Sequence, residues 1–282
     1  MPAEPLADIR DLLLLHTPRG DFAVRETGVG YPVVLLHGTS ASHAVWEPCA
    51  AALVDAARCI AVDQRGHGRS SKPATGYGGH DFADDVIAIL DALQLDRAVV
   101  AGHSMGARNA WLVATRHADR VSGIVSVDYT PFVEQSVLDD LAVRVAGGDQ
   151  VFTDVRAIED YLQKRYPRIP AAAISRRARW GYVERAAGEW VPLAPAHALA
   201  QLVDGLRTPY VEEFEAVGCP MIHIRGIDSK IVSDYAWEAA RPHRPNDDWI
   251  VDTDSDHYVA EERPDPVAQA IRQAIDLVHT TS

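Results

Sequence analysis

Six short apolar runs, "PVVLLHG", "CIAVDQRG", "AVVAGHS", "GIVSVDYTP", "MIHIRGI" and "DWIVDT", recur along the chain, mostly bounded by Gly, Asp or Pro. Runs this short and this apolar, separated by stretches of helical spacing, are what buried parallel strands joined by crossover helices require. The alternation predicts an α/β fold built on a doubly wound, mostly parallel sheet. Ahead of the first run the chain is expected to turn back on itself around "TPRGD". The rhythm breaks between Phe132 and Val217, where "SVLDDLAVRVAGG", "VRAIEDYLQKRYP", "AAISRRARWGYVERA" and "AHALAQLVDGL" show helical spacing with no strand between them. This divides the chain into a core from residues 1–131 and 218–282 and a helical cap from residues 132–217. Because the cap leaves the sheet after the strand ending at Asp128, it should sit above the carboxyl ends of the strands, where open α/β sheets bind ligands.

At 282 residues and 47% hydrophobic content, the chain supplies a core for one large domain with an insertion. A formal charge of −13 argues against nucleic-acid or anionic-membrane partners, which need a basic surface. An acidic substrate would therefore need local cations. The three cysteines, Cys49, Cys59 and Cys219, are odd in number and widely spaced, so neither a disulfide framework nor a thiolate metal site is indicated. The four-leucine run near the N-terminus is too short for a signal sequence and follows acidic residues, and no run approaches a membrane span. A cytoplasmic location and no membrane partner are expected, and a homodimer is compatible with these features.

The stretch "VVAGHSMGARNAW" places Ser104 between two glycines where an apolar run gives way to a helical pattern. A turn that tight strains the backbone. Gly102 and Gly106 remove side chains that would collide as strand and helix close on each other, leaving the Ser104 hydroxyl projecting from the sheet edge. A serine hydroxyl needs a base within hydrogen-bond reach and a third group to fix that base's tautomer. His257, in "DTDSDHYVAEERP", lies between the last apolar run and the final helix and suits the base. His279 lies in the terminal helix and His223 inside a strand.

The acid commonly stands three residues beyond a glycine at the end of the penultimate strand, but here Gly226 plus three is Ser229. Asp228 is adjacent, yet a one-residue shift in extended chain turns the side chain to the other face. Asp128, at the end of the strand after the nucleophile strand, is preferred to Asp228. Asp252, Asp254 and Asp256 are expected to be solvated loop charges, and Asp63 to hold its own loop. Developing negative charge would be met by the backbone N–H of Thr39, in "LLHGTSASH", and of Met105, just after the nucleophile. No H-E-x-x-H or phosphate-binding fingerprint occurs, so no metal, nucleotide or other cofactor is expected.

Together the "HG" at His37, the "DQRGHGRS" loop, "GHSMG" and the late histidine resemble the α/β-hydrolase superfamily over nearly the whole chain. Within it, "AVDQRGHGRSSKPATGY", "GHSMGARN", "VDYTPFVE", "RYPRIPAAAI", "RGIDSKIVS" and "DHYV" resemble the 2-(acetamidomethylene)succinate hydrolases, a family of amidohydrolases. The likeness implies an acid at Asp128, and cap arginines at Arg144 and Arg165 holding substrate carboxylates with Tyr166 and Tyr258 alongside. From spacing alone these arginines would be solvated helix faces. Thr39 departs from the apolar residue expected there. The implied activity is cleavage of an N-acyl enamine amide of a small dicarboxylate such as 2-(acetamidomethylene)succinate through an acyl-enzyme on Ser104. The same constellation would serve a carboxylesterase or a carbon–carbon bond hydrolase, and an idle ligand-binding module is the rival of another class.

Overall fold

The computed structural model describes residues 11–147 and 150–281. Its first two strands, β1 (Leu13–Thr17) and β2 (Gly20–Thr27), form the hairpin expected at "TPRGD", closed by the Thr17 hydroxyl donating to the Gly20 carbonyl at 2.8 Å. The six apolar runs become β3 (Tyr31–Leu36), β4 (Ala57–Val62), β5 (Ala98–His103), β6 (Val121–Val127), β9 (Met221–Gly226) and β10 (Asp248–Asp252). With the hairpin they make one eight-stranded sheet of order β1-β2-β4-β3-β5-β6-β9-β10, parallel from β4 to β10.

The two faces of each strand bury into different layers, as the period of two demands. Val34, Leu36 and Val100 pack with Phe82 and Ile89 of α2 (Gly79–Ala92) and Trp111 of α3 (Met105–Arg116). Val33, Leu35 and Val99 pack instead with Trp46, with Cys49 of α1 (Glu47–Ala52), and with Ile271 of α11 (Pro264–Thr281). Both faces are covered, so β5, β6 and β9 are buried along their full length. Among the described residues no helix is long and apolar enough to cross a membrane.

Between β6 and β9 run α4 (Gln135–Ala146), α5 (Val155–Arg165), α6 (Ala171–Gly181), α7 (Ala196–Gly205) and α8 (Val211–Glu215). The expectation of helices alone is corrected here. The pattern read as helical through "GYVERA" stops at Gly181, and the chain forms an antiparallel pair, β7 (Tyr182–Glu184) and β8 (Trp190–Pro192). The β-branched and aromatic residues Tyr182, Val183, Trp190 and Val191 favour the extended form over another helical turn. The segment is also packed in two ways. Leu138 of α4 and Leu202 of α7 join the sheet's own core, whereas Ile158 and Leu162 of α5 and Ile174 of α6 form a separate cluster with Tyr166.

The junction of β5 with α3 is a close approach of backbone to backbone. A Cβ on Gly102 would lie 2.1 Å from the Gly106 carbonyl oxygen, and one on Gly106 would lie 2.2 Å from that of Leu36. Both are backbone contacts, which cannot swing aside as a side chain would. Gly106→Ala should therefore separate α3 from β3 at a cost of about 1–3 kcal/mol or more. A thermal melt of the variant checks this, and an unchanged Tm would show that the junction has slack.

Candidate active site

Ser104 occupies the single residue between β5 and α3 with φ +54° and ψ −121°, a conformation side chains rarely adopt. It is held there because its N–H donates to the Val127 carbonyl at 2.8 Å while its own carbonyl accepts from Ala107 at 2.9 Å. The side chain is directed into a cavity with about 610 Å³ of unfilled space, which Thr39, Tyr129, His257 and the cap residues Arg144 and Arg165 also line.

His257 lies between β10 and α10 (Val259–Glu262). Its Nδ1 is 2.5 Å from Asp128 Oδ2, its N–H donates to Asp256 at 2.6 Å, and its carbonyl accepts from His103 Nε2 at 2.8 Å. A carbonyl can only accept, so His103 carries its proton on Nε2. Burial pulls the His257 pKa well below the usual histidine value, Asp256 opposes, and Arg144 and Arg177 add to the lowering. A neutral ring with its proton on Nδ1 leaves the Nε2 lone pair for the cavity. Ser104 and His257 are not hydrogen-bonded to each other here, and in unliganded hydrolases that contact tightens when substrate arrives.

Asp128 follows β6 directly, fully buried, with φ +52°. Besides His257 it accepts from the Ser229 hydroxyl at 2.6 Å and the Gly226 N–H at 3.0 Å. Burial pushes its pKa up and those two donors oppose the shift. Ser229 stands at the position where an acid was looked for, and its hydroxyl braces the carboxylate that has moved one strand inward. Asp228 faces away, half-exposed and paired with Arg168 at 2.6 Å. The structure thus brings Asp128 and not Asp228 to His257. The other acidic residues are partly corrected. Asp63 does hold its loop, accepting from the His43 N–H and ring and from the Arg69 N–H, each at 2.8 Å. Asp252 and Asp256, however, accept backbone N–H bonds within the His257 loop rather than standing in solvent, and Asp254 pairs with Arg263 at 3.0 Å.

Neither the Thr39 N–H, just beyond β3, nor the Met105 N–H, at the first position of α3, hydrogen-bonds a protein acceptor among the described residues. The orientation of the first follows from His37. Its Nε2 accepts from Gln64 at 3.1 Å, so its Nδ1 donates to the Gly38 carbonyl at 2.7 Å, and burial keeps the ring neutral with a pKa of about 3. In a planar trans peptide the N–H points opposite the C=O. Pinning the Gly38 carbonyl therefore turns the Thr39 N–H the other way. Met105 is the first residue of α3, so its N–H also carries the positive end of the helix dipole.

Two cations of the segment between β6 and β9, Arg144 of α4 and Arg165 of α5, line the same cavity. Arg165 donates to Tyr161 Oη at 2.8 Å, Tyr166 Oη at 3.1 Å and the Arg144 carbonyl at 3.3 Å. Among the described residues neither Arg144 nor Arg165 has a carboxylate partner. Tyr166 is buried against Tyr258, ring centroids 5.0 Å apart and nearly perpendicular. Sequence reasoning missed Arg177, which also lines the cavity and is paired with Glu261 of α10. The signal was present, because Arg177 falls three and four residues from Ile174 and Ala173 and so on the apolar stripe of α6. Among the described residues no group of three or more His, Cys, Asp or Glu side chains is arranged to hold a metal ion.

A family model for the alpha/beta hydrolase fold matches residues 31–264. The chain is 42% identical over 253 residues to the 2-(acetamidomethylene)succinate hydrolase of Mesorhizobium japonicum, covering 90% of this chain and 91% of that relative. It is 28% identical over 256 residues to esterase YbfF of Escherichia coli, covering 87% and 93%. The crystal structure of E-2-(acetamidomethylene)succinate hydrolase matches with a TM-score of 0.91 at 41% identity, over 94% of this chain and 98% of that one. On the fold, the extent of the family match and this degree of identity, the chain belongs to the alpha/beta-hydrolase family.

Proposed function

We propose that this hydrolase cleaves the amide of a small N-acyl enamine dicarboxylate, of the 2-(acetamidomethylene)succinate class, through an acyl-enzyme on Ser104. The observation that carries the reading is the pair Arg144 and Arg165, which face the cavity of Ser104 and His257 with no carboxylate of their own among the described residues. A chain of net charge −13 that keeps over a buried nucleophile two cations with no carboxylate partner among the described residues is suited to an anionic substrate. The relative with 42% identity is named for such a substrate.

In this mechanism Arg144 and Arg165 each take a carboxylate and bring the acyl carbonyl over Ser104. His257 Nε2 accepts the hydroxyl proton as Oγ bonds to the carbonyl carbon, with Asp128 stabilising the imidazolium through Nδ1–H. The oxyanion accepts from the Thr39 and Met105 N–H groups, each donor worth about 3–4 kcal/mol in such holes. Collapse breaks the carbon–nitrogen bond as His257 returns its proton to the departing nitrogen. Water, deprotonated by His257, then attacks the acyl-enzyme, releasing the carboxylic acid and restoring Ser104. Residues 132–217 serve as the cap that carries the substrate-binding cations. The free thiols Cys49, Cys59 and Cys219 suit a reducing, cytoplasmic setting.

Truncating Arg144 or Arg165 to Ala should lower kcat/KM for the dicarboxylate, by about 1.5–3 kcal/mol of transition-state stabilisation at half-buried Arg165 and by less at Arg144, which is exposed and screened by solvent. Hydrolysis of a neutral ester of similar size should change little. Equal losses on both substrates, or none on the dicarboxylate, would sink the substrate assignment.

Asp128→Asn keeps the shape but favours the wrong imidazole tautomer, an effect that reaches about 10⁴-fold in kcat in serine proteases. Asp228→Asn, on the outer face of its loop, should leave kcat within a few-fold. Steady-state kinetics of the two variants decide between them.

Only neutral His257 can act as the base, and burial, Arg144 and Arg177 hold its pKa below the usual 6.5. The kcat/KM profile should therefore stay level as pH falls from 8 through 6.5 and decline only at lower pH. Removing the charge of Arg144 should move that acid limb upward. A limb already centred at or above 6.5 in the unmodified enzyme would contradict the assignment of His257.

A further inference from the structure

We propose that Arg177 is a positioning residue, a strut from the cap that sets the His257 loop and the Arg165 side chain in register with each other; the inference rests on His257 being the base.

Arg177 is planted in the cap by its own helix, whose neighbouring residues Ala173, Ile174 and Ala178 are buried in the α5–α6 cluster. Its guanidinium reaches out of that cluster to the corner formed by two perpendicular rings, 4.7 Å from the Tyr166 ring centroid and 5.0 Å from that of Tyr258. It also grips Glu261 through Nε, 2.9 and 3.1 Å from the two carboxylate oxygens, and through Nη2. Arg177 and Glu261 are both buried, so little solvent screens the pair.

What the guanidinium holds on the core side is a single helical turn. The Glu261 N–H donates to the Tyr258 carbonyl at 2.9 Å, so Arg177 clasps one end of α10 by a carboxylate and the residue before it by an aromatic face. His257 is the next residue back along the chain. The Tyr258 ring meets the His257 ring edge to face at 5.0 Å and lies 6.0 Å from that of His103, whose Nε2 in turn donates to the His257 carbonyl. On the cap side the Tyr166 ring under Arg177 carries the hydroxyl that accepts from Arg165 Nε at 3.1 Å. One planar cation thus spans from the loop of the base to the side chain of a substrate-binding arginine.

A buried ion pair that served only to tie one segment to another would not need its guanidinium against two aromatic rings of the site. Nor would a lysine be an equivalent, because lying against both rings while donating to a carboxylate through two nitrogens requires the planar fork. Glu261 also neutralises Arg177, which leaves Arg144 and Arg165 as the cations available to the two substrate carboxylates.

The test uses the full chain and a small neutral ester whose acylation of Ser104 does not call on Arg144 or Arg165. The double variant Arg177→Met with Glu261→Gln removes both charges together and so leaves no buried charge unpaired. Its Tm should stay near that of the unmodified protein. Its single-turnover acylation rate with the neutral ester should fall about 10- to 100-fold at unchanged KM, the scale expected when a reacting group is displaced by a fraction of its reach. With the dicarboxylate the same loss should appear together with a raised KM, through Arg165.

A stable double variant that acylates at the normal rate would overturn the proposal. Should the double variant not fold, Arg177→Lys keeps the charge and the partner while losing the planar fork; a normal acylation rate there overturns it equally, and a ten-fold loss supports it. The substrate reading fails by a different route, through Arg144→Ala leaving dicarboxylate turnover intact, and that result leaves the strut untouched.

Discussion

A fully buried carboxylate is costly unless donors meet it on every side, and Asp128 is supplied with three donors from two segments of the chain: the Gly226 N–H at the end of β9 and the Ser229 hydroxyl just beyond it, and the His257 ring after β10. These donors converge only if the carboxyl ends of β6, β9 and β10 finish together. The parallel registers Val127 with Ile224 and Gly226 with Asp252 bring that about. The carboxylate in turn fixes where the His257 ring stands relative to β5, whose end delivers Ser104. The geometry of Ser104, Asp128 and His257 is therefore a property of the carboxyl ends of the strands, and the segment between β6 and β9 adds Arg144 and Arg165 to the lining of the same cavity.

Much of this was legible in the sequence because it is written in local chemistry. Gly102 and Gly106 flank Ser104 for want of space, and each apolar run is short enough to be a strand and too apolar to be exposed. His257 was legible by its place between a run and a final helix. Asp128 was reached through the serine at Gly226 plus three, and the structure gives that serine a reason, since Ser229 donates to the carboxylate it would otherwise have replaced. That Arg144 and Arg165 line the cavity of Ser104 was not legible from periodicity. A cation over a cavity and one over solvent have the same helical spacing, and only the packing of α4 and α5 across the strand ends tells them apart. The β7–β8 pair was missed because three-residue strands are too short to show a period. Arg177 was missed because a charge on an apolar stripe reads as an irregularity until its carboxylate, 84 residues away, is known.

Glu261 and Glu262 are adjacent on α10 and hold the cap in unlike ways. Glu261 takes Arg177 in the interior. Glu262 takes Arg168, which is 40% exposed and also meets Asp228. An exposed cluster of this kind is screened by salt and contributes little, whereas the interior pair is not screened and is damaging to break singly. The Asp228 that sequence reasoning weighed as a catalytic acid is thus occupied at the cap's outer rim.

The hydrogen bond between Asp128 and His257 joins residues 129 apart, and the whole cap lies in the loop it closes. Contacts of such separation form late, because the loop-closure entropy must be met before the contact rewards it. During refolding, the sheet strands and the α2–α3 layer have local neighbours to build on, while the Asp128–His257 contact has none until both flanks of the segment between β6 and β9 have docked. Recovery of activity is consequently a report on the last event in folding. A collapsed chain with most of its secondary structure would still be inert, and while it waited its unpaired β6 edge would lie open to other chains.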